Sequence, residues 1–187
     1  AVGVNGTQAN EAALESGAMV ARVAGWAARY AIASIEDPVS QDDLAGMAEA
    51  TRRLGGRVQM IGDDILVTDA RRVAKAAEAG ACNAALIKVN QAGTVSEAKA
   101  ALEAARARGW ATIVSARSGE SEDVTIAHLA TGWDAGQLKV GSFARSERMA
   151  KWNELLRIEE ALGDKARFAG ADAFPAAVAA HIRSHAP

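Results

Sequence analysis

The chain has 187 residues, half of them hydrophobic, with a formal net charge of −2 and a pI near 6.0. That length suits a single domain with a good core; the near-neutral charge and lack of a basic stripe give no footing for nucleic acid; and no apolar run reaches the roughly 18 residues of a membrane helix. A lone cysteine, Cys82, leaves no internal disulfide, and the opening Ala1-Val-Gly-Val-Asn5 lacks the basic and apolar regions of a secretory signal, so the expected location is the cytoplasm.

In chain order, Ala1 to Asn5 reads as a strand and Asn10 to Arg29 as a helix, with Leu14, Met19, Val20, Val23 and Trp26 at near-helical spacing. A strand from Ala31 to Ile35 follows. Pro38 then forbids further ladder pairing, and Ser40 is placed to cap a helix from Gln41 to Leu54. Val58 to Ile61 is the next strand, Gly62 permits a sharp exit, and Thr68 or Asp69 opens a helix that runs to Ala79 and stops at Gly80.

Ala84 to Val89 is an apolar strand near whose end Lys88 sits; Thr94 or Ser96 starts the helix that reaches Arg108. Trp110 to Ser115 is a strand, Glu122 to Ala130 its helix, Gln137 to Val140 the last strand and Arg145 to Leu162 the last long helix. Residues 163–187 form an irregular tail outside this 1–162 unit. Strands that are apolar on both faces, each followed by a helix, indicate a parallel sheet covered by helices. The fold class expected is α/β, a parallel (β/α) barrel of about six units, fewer than the eight that fill about 250 residues in a closed one.

Polar residues recur at the strand ends. From Asn5 to Glu36, Asp63, Lys88, Ala116 and Lys139 the gaps are 31, 27, 25, 28 and 23 residues, each one strand, one helix and two loops. In a parallel barrel these positions converge on one mouth. Glu36 and Asp63 are hard oxygen ligands suited to Mg²⁺, or else carboxylates that stabilise helix starts. Lys88 either pairs with them or serves as a base. Arg117, Ser118 and Gly119 form a polar turn suited to phosphate, and Lys139 is placed to neutralise a carboxylate. A cation-rich mouth implies a small phosphorylated acid as ligand.

Outside the mouth, His128 falls in a helix, while His181 and His185 are four apart in the tail and read as exposed surface residues. Trp26, Trp110, Trp133 and Trp152 read as core or interface packing.

The stretches Ser34-Ile-Glu-Asp-Pro38, Gly62-Asp-Asp64, Leu86-Ile-Lys-Val-Asn-Gln-Ala-Gly-Thr94, Ser115-Ala-Arg-Ser-Gly-Glu-Ser-Glu-Asp123, Gly136-Gln-Leu-Lys139 and Ala144-Arg-Ser-Glu-Arg148 occur in an order that resembles the C-terminal barrel of enolase, the phosphopyruvate hydratase of glycolysis. The resemblance spans about residues 31–162. It implies a (β/α)8-type barrel beside a smaller α+β capping domain, interconversion of 2-phosphoglycerate and phosphoenolpyruvate with Mg²⁺, and assembly as dimers or larger oligomers. It also implies Glu36 and Asp63 as metal ligands, with Asn5 where the family has a third, aspartate ligand. Lys88 corresponds to the base, Arg117 and Ser118 to phosphate contacts, and Lys139 to a catalytic contact with the substrate carboxylate.

Two departures stand out: Ala116 replaces the family histidine, and Asn5 offers a neutral oxygen in place of a charge. The family's catalytic glutamates lie upstream of the segments matched here. Three functions therefore stay open: an enolase-type lyase, a divergent relative acting on a phosphonate in the manner of the carboxyphosphonoenolpyruvate synthases, and a noncatalytic enolase-like binding protein. Open sheet edges lead us to expect a homodimer or a complex with an N-terminal half.

Overall fold

In the computed structural model, which describes residues 14–185, five parallel strands lie in the order in which the chain makes them. They are β1 (Ser34–Glu36), β2 (Gln59–Gly62), β3 (Ala84–Ile87), β4 (Ala111–Ser115) and β5 (Gly136–Lys139). The expected strand Ala1 to Asn5, and with it Asn5, lies outside the described residues. The helices are α1 (Ser16–Arg29), α2 (Leu44–Leu54), α3 (Ala70–Glu78), α4 (Val89–Ala92), α5 (Val95–Arg106), α6 (Thr125–Gly132), α7 (Ser146–Leu162) and α8 (Ala176–Ser184). None of them is long and apolar enough to cross a membrane.

The sheet curls into a half-barrel. Laid flat, four inter-strand spacings of about 4.8 Å would hold the edge strands about 19 Å apart. Instead the side chains of Glu36 on β1 and Lys139 on β5 meet at 2.5 Å. Lower in the lumen, Gln59 on β2 and Gln137 on β5 exchange two amide hydrogen bonds of 3.0 and 2.8 Å.

Alternation along each strand splits the interior in two. Met60, Ala85, Ile87 and Val114 face the helices and join the main core with Val20, Met47, Leu54, Leu66, Val73 and Leu102. Ile61, Ala84, Leu86 and Ile113 face the lumen. The registers Ile61↔Ala84 and Leu86↔Ile113 place those residues side by side.

Local chemistry shifts several boundaries from the sequence reading. Ser40 does not cap α2: its carbonyl accepts from Asp43 N–H in the preceding turn, and Asp43 caps the helix by accepting from Gly46 N–H at 2.8 Å. Asp69 caps α3 through the N–H groups of Arg71 and Arg72. Thr94 and Glu97 form a reciprocal capping pair on α5. Strand β3 stops at Ile87 rather than Val89, because Lys88 N–H turns from the ladder to the Thr68 hydroxyl at 3.0 Å and the chain enters α4, which periodicity did not reveal.

The tail is ordered into short 3-10 turns and α8, whose Val178 and Ala179 are buried. Gln137 also donates to the Ala173 carbonyl at 2.8 Å, tying this segment to the sheet. Trp110 and Trp133 pack against the core and Trp152 stacks on Phe143, but Trp26 is 48% exposed and does not join the core.

Candidate functional site

The five strands end on one rim. Loops leaving β2, β3, β4 and β5 line a cavity of about 450 Å³ whose walls include Asp63, Lys88, Arg117, Ser118, Lys139 and Arg148. Five cations, Lys88, Arg117, Lys139, Arg145 and Arg148, face it against two carboxylates, Asp63 and Asp64. Such an imbalance in a concave site favours an anionic ligand.

At its base the Lys88 ammonium donates to Asp63 Oδ2, with side chains only 11% and 8% exposed. The other oxygen, Asp63 Oδ1, is buried and has no hydrogen-bond partner. A buried carboxylate oxygen without a partner is costly unless a ligand completes it. Across the rim, Lys139 holds Glu36, both partly exposed.

The residue that sequence reasoning missed is Asp37. Its two oxygens accept the N–H groups of Asp63 at 3.0 Å and Asp64 at 2.7 Å, so it fixes the turn on which Asp63 stands. Asp37 itself sits at φ 38°, a conformation that aspartate tolerates better than most residues. Burial pushes its carboxyl above the usual range; the two N–H bonds oppose this, and the charges of Asp63 and Asp64 add to the rise. Asp37, Asp63 and Asp64 each bring an oxygen to within 4.8 Å of the others. Glu36 is not a member of this group. The clue in the sequence was adjacency: Asp37 is next to Glu36 and opposite Gly62-Asp63-Asp64 across the β1–β2 pair, where Glu36 is in register with Ile61.

Lys88 is also fixed from behind. Thr68 is buried, accepts from Lys88 N–H, and its hydroxyl donates to Gln91 Oε1 at 2.7 Å. The loop after β2 thereby locks to the loop after β3. Ala116 lines the cavity with a methyl group and donates its backbone N–H to the Lys139 carbonyl at 2.9 Å, so no side-chain donor is available at this position.

The histidines stay apart from the rim. His128 pairs with Glu154 on α7 at 3.0 Å, and the His181 and His185 rings pack 4.2 Å apart on the tail. Cys82 is buried, and its thiol is held protonated by burial, with Asp37 adding to the effect. That makes it a poor nucleophile.

Parallel strands that alternate with helices and gather charged side chains at their C-terminal ends define a (β/α) barrel-type domain with a polar mouth. The sequence model of the family described as enolase, C-terminal TIM barrel domain, matches residues 3–177. The chain belongs to that enolase family.

Proposed function

We propose that this domain is the catalytic barrel of an Mg²⁺-dependent, cytoplasmic enolase-type lyase acting on a small phosphorylated carboxylic acid of the 2-phosphoglycerate and phosphoenolpyruvate type. The observation that carries the reading is the nearly dry Lys88–Asp63 pair at the base of a cation-lined cavity. A lysine so placed is costly to bury for packing alone.

In this reading Lys88 leaves Asp63 and gives up its ammonium proton to solvent, and the free amine then takes up the proton on the carbon next to the substrate carboxylate. Lys139 releases Glu36 to face that carboxylate, whose negative charge grows as the proton leaves. Arg117 and Ser118 hold the phosphate. The unpartnered Asp63 Oδ1 and the neighbouring oxygens of Asp37 and Asp64 make a donor set that fits a hard divalent cation. By the resemblance Asp63, Glu36 and Asn5 would hold Mg²⁺; of these, Asp63 belongs to the acidic group just described. When bound, that ion supplies positive charge that stabilises the ionised substrate.

Proton abstraction is measurable apart from loss of the hydroxyl group. With Mg²⁺ and 2-phosphoglycerate in D₂O, the chain is expected to exchange the C2 proton, seen by NMR, and Lys88→Met is expected to abolish exchange. No exchange by the unaltered chain, or equal exchange by the variant, rejects the reading.

Ala116 favours a second reading, action on a phosphonate substrate, because the cavity wall lacks a side-chain donor where the family has its histidine. Turnover of a phosphonate analogue, with no exchange on 2-phosphoglycerate, decides for it.

The partner proposed is a second copy or an N-terminal half. Among the described residues β1 and β5 pair on one side only and are exposed or half-buried along their length, whereas β2 and β3 are buried throughout. Such edges invite pairing. A monodisperse monomer by light scattering, unchanged when the N-terminal half is added, counts against it.

A further inference from the structure

Helix α7 turns two cations inward three residues apart, on one face. Lys151 has no accessible surface and Arg148 is 5% exposed. Buried cations persist only where every donor finds an acceptor. Here five of the six acceptors are backbone carbonyls, three of them in the loop after β4. Arg148 donates through Nη1 to the carbonyls of Arg117 at 2.7 Å and Val140 at 3.0 Å, and through Nη2 to that of Ser118 at 2.7 Å. Lys151 donates to the carbonyls of Ser121 and, at 2.8 Å, Glu147, and it pairs with Glu120 at 2.8 Å.

Glu120 closes the circuit by accepting Arg117 N–H at 2.7 Å. Burial alone would raise its carboxyl. The Arg117 N–H, the Lys151 ammonium and the charge of Arg148 outweigh burial and hold it below the usual range. The segment 117–121 is therefore fastened at four backbone points, and Val140 brings in the loop after β5.

The arrangement has a consequence for the cavity. A planar trans peptide carries its C=O and N–H in opposite directions. Drawing the Arg117 and Ser118 carbonyls onto Arg148 turns the next two N–H groups, those of Ser118 and Gly119, away from α7. It also removes two carbonyl oxygens that would repel an anion. Arg148 has no carboxylate at ion-pair distance among the described residues, so its charge adds to the positive field of the cavity it lines.

We propose that Arg148 and Lys151 are positioning residues that clamp the 117–121 loop so that Arg117 and Ser118 present a preformed anion site. The proposal rests on the reading of those two residues as phosphate contacts. Lysine keeps the charge of Arg148 but cannot fork to three carbonyls. The test compares the unaltered chain with Arg148→Lys and Lys151→Met, using amide hydrogen exchange and titration with inorganic phosphate followed by ³¹P NMR.

Exchange in 116–121 and 140–142 is expected to quicken ~10-fold in Arg148→Lys, with α3 and α5 unchanged, and phosphate to bind ~10-fold more weakly, as loss of charge-assisted bonds implies. Unchanged loop exchange in both variants overturns the clamp, and so does exchange that rises equally everywhere, since that marks a general loss of stability. Equal phosphate affinity in all three chains overturns the clamp while leaving the anion site intact. An unaltered chain that binds no phosphate rejects the anion site itself.

Discussion

Lys88, just beyond β3, reaches sideways to Asp63, just beyond β2, and the two form an ion pair from which water is nearly absent. Two loops that are distant in sequence are joined through one proton-bearing contact. Its burial means that neither partner can be removed without stranding the other.

Lys88→Met is therefore expected to destabilise the chain by about 3–5 kcal/mol, because Asp63 is left as an uncompensated buried charge. The double variant Lys88→Met/Asp63→Asn should lose less than the sum of the two single changes. Urea unfolding of all four chains measures the coupling. Additive losses would mean that the two groups are not paired in solution.

Thr68 supports the same lysine from its backbone. Thr68→Val keeps the shape but leaves Lys88 N–H, which is buried, without an acceptor, at a cost of about 1–3 kcal/mol. Thr68→Ser keeps the hydroxyl and should restore most of the loss. Thermal unfolding of the pair tests this, and equal midpoints for Val and Ser would show that the hydroxyl does not act as drawn.

Asp69 gives the fold an acid-sensitive point. Its carboxyl is held down to about 2, first by the Arg71 guanidinium and then, against partial burial, by the N–H groups of Arg71 and Arg72 at the start of α3. A depressed carboxyl contributes stability that is fully present above its ordinary value, 3.8, and is lost as pH falls through about 2. Because Arg71 is almost fully exposed, the helix cap rather than the ion pair carries most of the effect. Asp69→Ala should cost about 1 kcal/mol at neutral pH. Its deficit should shrink as pH falls from 4 towards 2, as read by circular dichroism in urea. A deficit that stays constant over that range would remove Asp69 as the titrating group.

The rim was readable in the sequence because a strand end is a local feature. An apolar run stops, and the polar residues at that point lie at the mouth of a parallel barrel. Lys88, Arg117, Ser118 and Lys139 were located in this way. Asp37 was not, because its role is to accept two backbone N–H groups from the next loop, and no periodicity marks an acceptor. Arg148 stands at the end of a matched stretch and Lys151 just beyond it, and nothing in the sequence assigns either a role. Only the three-dimensional path of the 117–121 loop shows what they bind. Helix α4 is four residues long, too short for a helical period to register.

Gly62 illustrates the same limit, since a glycine before Asp63 suggested conformational freedom and the structure assigns it a different task. Gly62 is not among the residues with positive φ. A Cβ there would lie 2.7 Å from Leu66 Cδ1 and Cγ and 2.8 Å from Cys82 Sγ, closer than real side chains pack. Leu66 and Cys82 are both buried, so neither has free space into which to move. Gly62→Ala should destabilise the chain by about 1–3 kcal/mol through overpacking. It should also displace Asp63, the next residue, and weaken the proposed Mg²⁺ binding, measured by calorimetry. Trimming the opposing side chain in Gly62→Ala/Leu66→Ala should cost less than the two changes summed, since the new methyl fills part of the space that Leu66 leaves. Additive costs in that cycle would mean that Gly62 is not there to let Leu66 approach.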